Sequence, residues 1–576
     1  MRLKITKSKN NVHYSIIKDF TPLNGKRTTK IFENLGNQHQ IEERFGKEKP
    51  LIKIREYISS LNKQEKEEII KKEFNPNKRI APSIKKQFNV GYLFLEKIYN
   101  GLNIKSICDS IQENYQFHFN LNEILSYLVF ARIIYPSSKL ETFKQCHNFI
   151  ESPNFKLHDE YRALSYIAQN LDFIQEQLFA NSKNILERNS NVIYYDCTNY
   201  FFEIDTEDDL RKYGINKQHQ PKPQVGMGLF MDGDGIPLSF NIYPGNQNEQ
   251  KTLIPEEDKI VNDFKLDTTK IILCTDAGLS SDKIKKFNIK DNRGFVITQS
   301  LKKLKEEYKA QALDKTEWRI PNDLKHIYNL EEIENNEEVR EKYYDTLFYK
   351  IIPTETKSVK QDLIVTFSFK YLDYHRNIRN EQIARARKSI EENQVTRKGK
   401  NQNDYRRFVD SFSSTNNGEV AENITYSINE DLINEEEQYD GYYALTTNIV
   451  GDISSILKIV KGRWEIEESF RIMKHDFLAR PVELSREDRI KAHFMTCFIS
   501  LLIYRILEKK LNYKYTTSQI LTTLKNMNVF EFVGDGYIPT YTRTDITDDL
   551  HEMVGFRTDY EINTYKDFKK IFQVIK

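Results

Sequence analysis

Two aspartates in the sequence stand at the ends of short apolar runs. Asp196 lies in the run from Val192 to Thr198, and Asp276 follows the run from Lys270 to Thr275. A carboxylate at the end of a buried strand is costly unless another group pairs with it. Two such carboxylates close together repel each other, and a hard divalent cation between them removes the repulsion. Each aspartate alone is equally consistent with a cap on the following turn or helix, so only the pair indicates a metal site.

A third candidate carboxylate lies in a segment with helical periodicity. At about 100° per residue, Glu467 and Lys474 fall within about 40° of Arg463, whereas Glu465 and Glu468 point to other sides. An apolar stripe next to this face can be buried against a sheet, and it contains Ile466, Phe470, Met473 and Phe477. The spacing therefore selects Glu467 among the clustered glutamates. A surface ion pair between Arg463 and Glu467 is the alternative interpretation.

These side chains together suit the chemistry of phosphodiesters. Three carboxylates can hold two Mg²⁺ ions about 3.5–4 Å apart, which clamp the attacking and leaving oxygens of an in-line displacement. Arg463 and Lys474 would then bind phosphates, the arginine in a bidentate manner and the lysine as a point charge. Cys197 and Cys274 adjoin the aspartates without a histidine in either motif, so we interpret both as strand packing rather than nucleophiles.

The same residues carry a resemblance to a known family. The chain resembles bacterial insertion-sequence transposases with an Asp-Asp-Glu triad, in the branch with a Tyr-x2-Arg-x3-Glu-x6-Lys signature. Arg463, Glu467 and Lys474 match that spacing, and the resemblance runs from about residue 161 to residue 505. Val460 occupies the position of the signature's tyrosine, which is held to contact DNA phosphate. The resemblance therefore leaves open that contact and the hairpin intermediate that members of this branch use.

The resemblance implies the fold, the catalytic residues and the metal. It implies a ribonuclease-H-like (retroviral-integrase-like) catalytic core, in which Asp196, Asp276 and Glu467 are both the catalytic residues and the ligands of two Mg²⁺ ions. Mn²⁺ would be able to substitute. Arg463 and Lys474 would contact DNA phosphate.

The function that the resemblance implies is DNA transposition. The protein would bind the terminal inverted repeats of its insertion sequence, cut at the element ends by metal-assisted hydrolysis and join the 3′-OH ends to target DNA. The expected partners are double-stranded DNA and a second copy of the chain in the DNA complex, and the expected location is the bacterial cytoplasm at the nucleoid. Two alternatives remain open: a nuclease of the same fold that does not join strands, and a catalytically silent DNA-binding relative.

The elements that must position these residues predict an α/β fold. Asp276 and Glu467 are separated by far more chain than a ribonuclease-H-like core requires, which predicts an inserted domain between them. The resemblance implies that this insertion is mainly β. A helical N-terminal region precedes the core. The predicted segments are a basic β-hairpin and helix (1–80), a helical DNA-end-binding region (81–190), the first part of the core (191–300), the insertion (301–438), the second part of the core with the glutamate helix (439–510) and a C-terminal α/β tail (511–576).

The net charge of +2 argues at first against a DNA partner, but the charge is unevenly distributed. Residues 1–90 contain 21 basic and 10 acidic residues, and residues 366–407 contain 11 basic and 5 acidic residues. Acidic runs at 331–341 and 430–440 offset them. We predict that the first basic stretch recognises DNA ends and that the second is a DNA-facing arm, with a solvated surface as the alternative for each. Trp318 in the insertion could stack on an unpaired base, although packing in the core is the commoner role.

Composition excludes several other classes of protein. The chain has 576 residues, of which 39% are hydrophobic, so it is not a disordered chain. Five widely spaced cysteines fit a reducing cytoplasm rather than a disulfide framework or a zinc site. The N-terminus lacks the apolar core of a signal peptide, and the apolar stretch from Phe494 to Ile503 predicts a buried core helix rather than a membrane partner. The Asp232–Gly235 segment predicts a hairpin turn and not a calcium loop.

Overall fold

The computed structural model divides the chain into two compact units, residues 1–85 and residues 86–576. The other predicted domain boundaries remain predictions. The structure describes residues 1–7, 12–20, 28–66, 75–77, 79–80, 82, 84–215, 221–290, 292–321, 323–356, 358–392, 394–395, 403–413 and 424–576.

The first unit contains an antiparallel three-stranded sheet and two helices. Its sheet has the order β1 (Arg2–Lys7), β2 (Val12–Phe20), β3 (Thr28–Asn37). Helices α1 (Gln38–Phe45) and α2 (Pro50–Lys66) follow, and a small core forms from Ile16, Leu35, Ile41 and Ile54. The described residues leave out two parts of the β-hairpin and helix predicted for residues 1–80. These are the hairpin turn at 22–25 and the end of the helix at 67–73.

The second unit combines helices with one large sheet. Its strands are β4 (Gln87–Asn89), β5 (Val192–Phe201), β6 (Gln224–Asp232), β7 (Pro237–Pro244), β8 (Ile272–Thr275), β9 (Gly294–Thr298), β10 (Trp318–Ile320), β11 (Asp323–Tyr328), β12 (Phe348–Glu355), β13 (Lys360–Phe367), β14 (Val409–Ser413), β15 (Ile424–Ile428), β16 (Tyr442–Thr447), β17 (Asn528–Phe532), β18 (Gly536–Pro539) and β19 (Asn563–Thr564). The helices before β16 are α3 (Tyr92–Gly101), α4 (Ile104–Tyr115), α5 (Leu121–Ile134), α6 (Lys139–Cys146), α7 (Leu157–Gln169), α8 (Leu171–Ser182), α9 (Gln250–Asp263), α10 (Asp282–Lys290), α11 (Glu306–Leu313), α12 (Leu330–Glu334), α13 (Glu337–Lys342), α14 (Phe369–Glu391) and α15 (Glu430–Glu437). After β16 come α16 (Ile453–Gly462), α17 (Trp464–Arg471), a π-helical segment (Ile472–Asp476), α18 (Glu487–Lys510), α19 (Thr517–Asn526), α20 (Asp545–Val554) and α21 (Tyr565–Ile575).

The large sheet has ten strands in the order β11-β10-β12-β13-β16-β9-β8-β5-β6-β7. Strands β5, β6 and β7 are antiparallel neighbours, whereas β8 runs parallel to β5 and β9 runs parallel to β8. Parallel neighbours need crossover connections, which contain α9 and α10 in this chain. The predicted α/β fold class is therefore confirmed.

The turn between β6 and β7 is the hairpin that the sequence predicted. Gly235 has a φ of +73°, a conformation that favours glycine. The Asp232 carboxylate accepts hydrogen bonds from the backbone of Asp234 and Ile236, and Arg188 Nε donates to it at 2.6 Å. The acidic residue at the start of this turn thus holds the turn together.

Helix α18 lies in the core of the second unit. It is long and apolar enough to pass for a membrane-spanning helix, but 94% of its most apolar window is buried inside the protein. Its apolar residues pack with Tyr200 of β5 and with α5 and α7. The predicted buried core helix is therefore confirmed.

The segment predicted as a mainly β insertion is mixed in structure. Its strands β10 to β13 continue the core sheet, because β13 pairs with β16, and they do not form a separate β domain. Helices alternate with these strands, and α14 alone is 23 residues long. The mainly β description is thus corrected. Ion pairs such as Arg385–Glu381, four residues apart on α14, favour the helix over a strand.

Trp318 is a core residue of this inserted segment. It is fully buried among Phe367, Tyr442 and their neighbours, and its indole Nε1 donates to the Asp314 carbonyl at 2.8 Å. Core packing, which was the favoured interpretation of Trp318, is therefore confirmed.

Candidate active site

The two aspartates occupy neighbouring positions on adjacent parallel strands. Tyr195 of β5 is in register with Thr275 of β8, so the next residues, Asp196 and Asp276, are neighbours at the carboxyl end of β8. Asp276 follows β8 as predicted, whereas Asp196 lies in the middle of β5, because pairing with β6 continues that strand to Phe201; the predicted strand end at Asp196 is therefore corrected. Adjacent strands are about 4.8 Å apart. Both aspartates are half-buried. The sheet thus brings together two carboxylates that are 80 residues apart in the sequence.

Asp276 is held by two neighbouring groups. Its carboxylate accepts a hydrogen bond from the Ala277 backbone at 2.6 Å and another from Thr298 Oγ1 at 2.9 Å. It also begins a short 3₁₀ helix over Ala277–Leu279, so the capping role considered from the sequence is real. Capping and metal binding are compatible, because a carboxylate has four lone-pair sites.

One face of β5 points at the helices that follow β16. Tyr194 donates through its hydroxyl to the Ile459 carbonyl at 2.9 Å, and Lys474 Nζ hydrogen-bonds to Thr198 Oγ1. Alternate residues of a strand share a face, so Asp196 lies between these two contacts and points the same way. The segment from α16 to the π-helical segment therefore passes over Asp196.

Arg463 lies at the junction of α16 and α17, among all three predicted carboxylates. Its guanidinium is 2.9 Å from Glu467 Oε1. Burial opposes its charge, yet the carboxylates of Glu467, Asp276 and Asp196 raise the pKa of Arg463 above its ordinary value. The charges of all three predicted carboxylates thus act on one arginine.

The three clustered glutamates have different partners. Glu465 forms an ion pair with the buried Arg505 of α18, and Glu468 forms one with Arg471. Only Glu467 points toward Arg463 and the sheet, as the helical spacing predicted. The ion pair with Arg463, which was the alternative interpretation, is present, and the metal-binding role of Glu467 remains a prediction.

Lys474 falls in the π-helical segment, which the regular helical spacing did not anticipate. Besides its contact with Thr198, its ammonium lies 5.3 Å from the centre of the Tyr200 ring. It is therefore beside β5, on the same face as Asp196. Single π-helical turns are rare and recur at functional sites.

A groove of about 750 Å³ adjoins the triad on the side of the inserted segment. Glu467, Arg463 and Val460 line it together with aromatic residues from three elements: Tyr371, Tyr443 and Trp464. Lys458 and Lys461 also line it. Tyr371 and Trp464 are each more than half exposed. The sequence did not single out these aromatic residues, because their shared wall forms only when α14 packs near β16.

The donor set fits a hard divalent cation, since all three side chains offer carboxylate oxygens at accessible positions. In the described part of the chain their oxygens are not all within 4.8 Å of one another. Glu467 is instead paired with Arg463. Cys197 and Cys274 are buried, and burial raises the pKa of each thiol to about 12, which agrees with a packing role.

A second group of metal-ligating residues lies in the C-terminal tail. Asp548, His551 and Asp559 have ligand atoms within 4.8 Å of one another. Both carboxylates are already bound by arginine, since Arg543 donates to Asp548 at 2.9 Å and Arg557 donates to Asp559 at 2.8 Å. We interpret this group as a charge network.

The predicted DNA-facing arm at 366–407 has acidic neighbours in space. Arg379 pairs with Asp440, and Arg407 pairs with Glu436, both from the acidic run at 430–440. Arg376 pairs with Glu334 of the other acidic run. The described part of this stretch is thus largely compensated within the molecule, as the solvated-surface alternative supposes.

Comparison with known proteins gave the following matches. A family model described as "Transposase DDE domain" matches residues 201–503, a range that contains Asp276 and Glu467 and begins shortly after Asp196. Among solved structures, the chain is similar to a cryo-EM structure of the piggyBac transposase synaptic complex with hairpin DNA. That similarity has 10% identity and a TM-score of 0.35 and covers 87% of each chain. The comparison with curated proteins found no match.

Proposed function

The chain belongs to the transposase DDE domain family, and from this membership we propose that it is the DNA transposase of a bacterial insertion sequence. It would bind the terminal inverted repeats of its element, cut the DNA at the ends and join the resulting 3′-OH ends to target DNA. The observation that carries the proposal is the strand register that makes Asp196 and Asp276 neighbours, with Arg463 paired to Glu467 and acted on by the charges of both aspartates. Family membership implies a ribonuclease-H-like core, which β5 to β9 and the helices after β16 would form.

Proteins of this family generally use divalent metal ions. We propose that Asp196, Asp276 and Glu467 hold two Mg²⁺ ions, with Mn²⁺ as a substitute. Such ions activate the attacking oxygen and neutralise charge on the phosphodiester. Without them, three carboxylates facing one arginine would repel a DNA phosphate.

The chain's own cations would orient the DNA. Arg463 is placed to exchange Glu467 for a phosphate, because guanidinium groups bind phosphate oxygens in a bidentate manner. Lys474 contacts Thr198, which lies two residues beyond Asp196 on the same face of β5, and it would bind a neighbouring phosphate. Thr298 would keep the Asp276 carboxylate in one orientation through its hydrogen bond.

The groove beside Glu467 supplies a path for a DNA strand. Exposed aromatic rings with nearby lysines are typical of surfaces that bind unpaired nucleotides. Val460 lines the groove without offering a hydroxyl to a phosphate, so a contact at this place would come from another side chain. The proposal does not depend on a hairpin intermediate.

The remaining parts of the proposal concern assembly. Residues 1–90 and the helices to about residue 190 would recognise the element ends, and two copies of the chain would pair two ends. The protein would work in the bacterial cytoplasm at the nucleoid.

A strand-transfer assay tests the proposed function. Labelled duplexes carrying the inverted repeats that flank the gene are incubated with the full chain, Mg²⁺ and a plasmid target. We expect cut ends and joined products, both abolished by a chelator. Cutting without joining would favour the nuclease alternative, and binding without cutting would favour the silent relative; either result would overturn the proposal.

A further inference from the structure

A pocket of about 290 Å³ lies in the helical part of the second unit, away from the predicted triad. It forms at the N-terminus of α6, between α5, α7 and the loop that precedes α18. We call it the α6 pocket and define it by Arg132, Ser138, Lys139, Tyr161 and Arg480. Three of these five residues carry positive charge.

Lys139 is a charged residue without a bonding partner inside this pocket. It is 4% exposed, and its ammonium has no hydrogen-bond partner among the described residues. A buried ammonium that lacks hydrogen bonds costs several kcal/mol. Lys139 lines the pocket, so a ligand there can reach it.

Arg132 is the second buried cation, and it is fixed in place. It is 3% exposed, and its guanidinium donates to the carbonyls of Phe477 at 3.2 Å and Ser137 at 2.9 Å. Its Nε has no hydrogen-bond partner in the described part of the chain. These bonds to neutral carbonyls orient the side chain without cancelling its charge.

The acidic groups near the pocket compensate these cations incompletely. Glu160 is buried and interacts with Lys139 through space, but its Oε1 has no hydrogen-bond partner among the described residues. Glu483 lines the pocket as an exposed residue. Burial, with Arg132 nearby, lowers the pKa of Lys139, and burial raises the pKa of Glu160. His493, also in the lining, is neutral, because burial and Arg132 lower its pKa well below the ordinary value.

The end of α6 adds a further positive contribution. The helix begins at Lys139, and Ser138 caps it by accepting a hydrogen bond from the Glu141 backbone. The first turn of a helix presents N–H groups and the positive end of the helix dipole, which favour an anion. Two kinds of observation, the helix end and the unpaired buried lysine, point to the same class of ligand.

We propose that the α6 pocket binds a phosphate group, with Lys139 and Arg132 as its charged ligands and Arg480 at the entrance. Arg480 is half-buried, and its guanidinium lies 5.6 Å from the Phe201 ring, at the end of the strand that carries Asp196. A duplex is too wide to enter a pocket in which both ligands are buried. The phosphate is therefore a terminal one on a DNA strand or inorganic phosphate, and not an internal phosphate of a duplex.

Binding of inorganic phosphate tests the proposal first. The unfolding temperature and the calorimetric affinity of the full chain are measured in phosphate and in sodium chloride of equal ionic strength. We expect phosphate to raise the unfolding temperature, because a ligand that binds only the folded state stabilises it. Lys139→Met removes the ammonium at similar side-chain length, and it should weaken phosphate binding at least tenfold.

Two further variants support the interpretation. Lys144→Met lies on the same helix at an exposed position, paired with Glu141, and should bind phosphate as the wild type does. Arg480→Gln should weaken binding several-fold, and it provides a second test at a half-buried position should Lys139→Met unfold. The proposal would be overturned if the wild type, Lys139→Met and Arg480→Gln bound phosphate equally. It would also be overturned if none of them bound inorganic phosphate and none distinguished the two duplexes described next.

Duplexes with 5′-phosphate and 5′-hydroxyl ends then distinguish the two sources. If the ligand is a DNA terminus, the phosphorylated duplex binds more tightly, inorganic phosphate competes with it, and Lys139→Met removes the difference. If the ligand is free phosphate, the two duplexes bind equally while inorganic phosphate still stabilises the protein. This test does not depend on cleavage, so its failure is distinguishable from failure of the proposed function.

Discussion

The triad site and the α6 pocket both have unbalanced charge, but of opposite sign and at different depths. Beside the carboxyl end of β8, the charges of three carboxylates act on Arg463, and the side chain of Glu467 is 56% exposed. In the α6 pocket, buried cations outnumber the buried carboxylate of Glu160. Exchanging the partner of an exposed charge costs little free energy, whereas separating a buried charge from its partner costs several kcal/mol. The first site therefore suits groups that come and go during a reaction, and the second suits one small ligand in a fixed position.

The largest expected effect comes from removing charge at the triad. Asp196→Asn or Asp276→Asn keeps the shape of the side chain but weakens binding of a divalent cation. We expect DNA cleavage to fall by roughly 10³-fold or more, the scale seen when a catalytic group is removed. The check is the rate of end cleavage in Mg²⁺, with end binding measured by gel shift. Asp263→Asn, at the exposed end of α9, is the control, and full activity in either triad variant would contradict the assignment.

The next effect concerns a charge that is fully compensated. Arg505 is buried, pairs with Glu465 and Glu508 and donates to the Gly235 carbonyl, so it ties α17 to α18 and to the β6–β7 turn. Arg505→Met leaves buried carboxylates unpaired, and we expect the free energy of unfolding to fall by about 3–5 kcal/mol.

A matched pair of urea titrations measures this loss. Arg471→Met breaks the exposed pair with Glu468 and should cost only about 0–1 kcal/mol. Equal losses in the two variants would show that Arg505 does not anchor the glutamate helix.

A smaller effect on the cleavage rate is expected from the hydrogen bond that orients the Asp276 carboxylate. Thr298→Val removes the hydroxyl that donates to Asp276 while preserving the shape of the side chain. A hydrogen bond to a charged group contributes about 1.5–3 kcal/mol, so we expect cleavage to slow by about tenfold or somewhat more. Thr298→Ser restores the donor and should recover most of the rate. If the serine variant is as slow as the valine variant, the hydrogen bond from the hydroxyl to Asp276 does not determine the cleavage rate.

The smallest effect is a pH dependence of stability from the α6 pocket. Burial and Arg132 lower the pKa of Lys139, so the folded protein releases this proton at a lower pH than the unfolded chain does. Between the lowered value and the ordinary value of about 10.4, the unfolded state binds more protons, and stability rises with pH.

Unfolding titrations at several pH values check this effect. The stability of the wild type relative to Lys139→Met should rise, by on the order of 1 kcal/mol, as pH increases toward about 10.4. Phosphate should flatten the rise, because an anion in the pocket favours the protonated lysine. A relative stability that falls with pH would contradict the stated burial effect.

Local sequence patterns were sufficient for the features that depend on near neighbours. The apolar runs before Asp196 and Asp276 predicted strands, and the helical spacing selected Glu467 over Glu465, because both patterns reflect periodicity along the chain. The hairpin turn at Asp232 was predicted from its aspartate and glycine residues, and the core helix α18 from the length of its apolar stretch; both are also local signals.

Features that depend on pairing between residues far apart in the sequence could not be predicted from local patterns. The pairing of β13 with β16, which makes the inserted segment part of the core sheet, joins residues about 80 positions apart, such as Val365 and Ala444. The pairing of the basic stretch with the acidic runs is also non-local. The α6 pocket brings Arg132 and Lys139 next to Arg480, and no periodicity links these positions.

Strand β16 makes the inserted segment an exchangeable module. It pairs with core strand β9 on one side and with inserted strand β13 on the other, and Thr298 at the end of β9 lies opposite Leu445. The chain thus leaves the core and returns to it at nearly the same point, although Asp276 and Glu467 are far apart in the sequence. Because the cost of closing a loop grows slowly with its length, this segment can lengthen or shorten without moving the carboxylates. A replacement must still cover the open edge of β16, which would otherwise invite pairing with another chain.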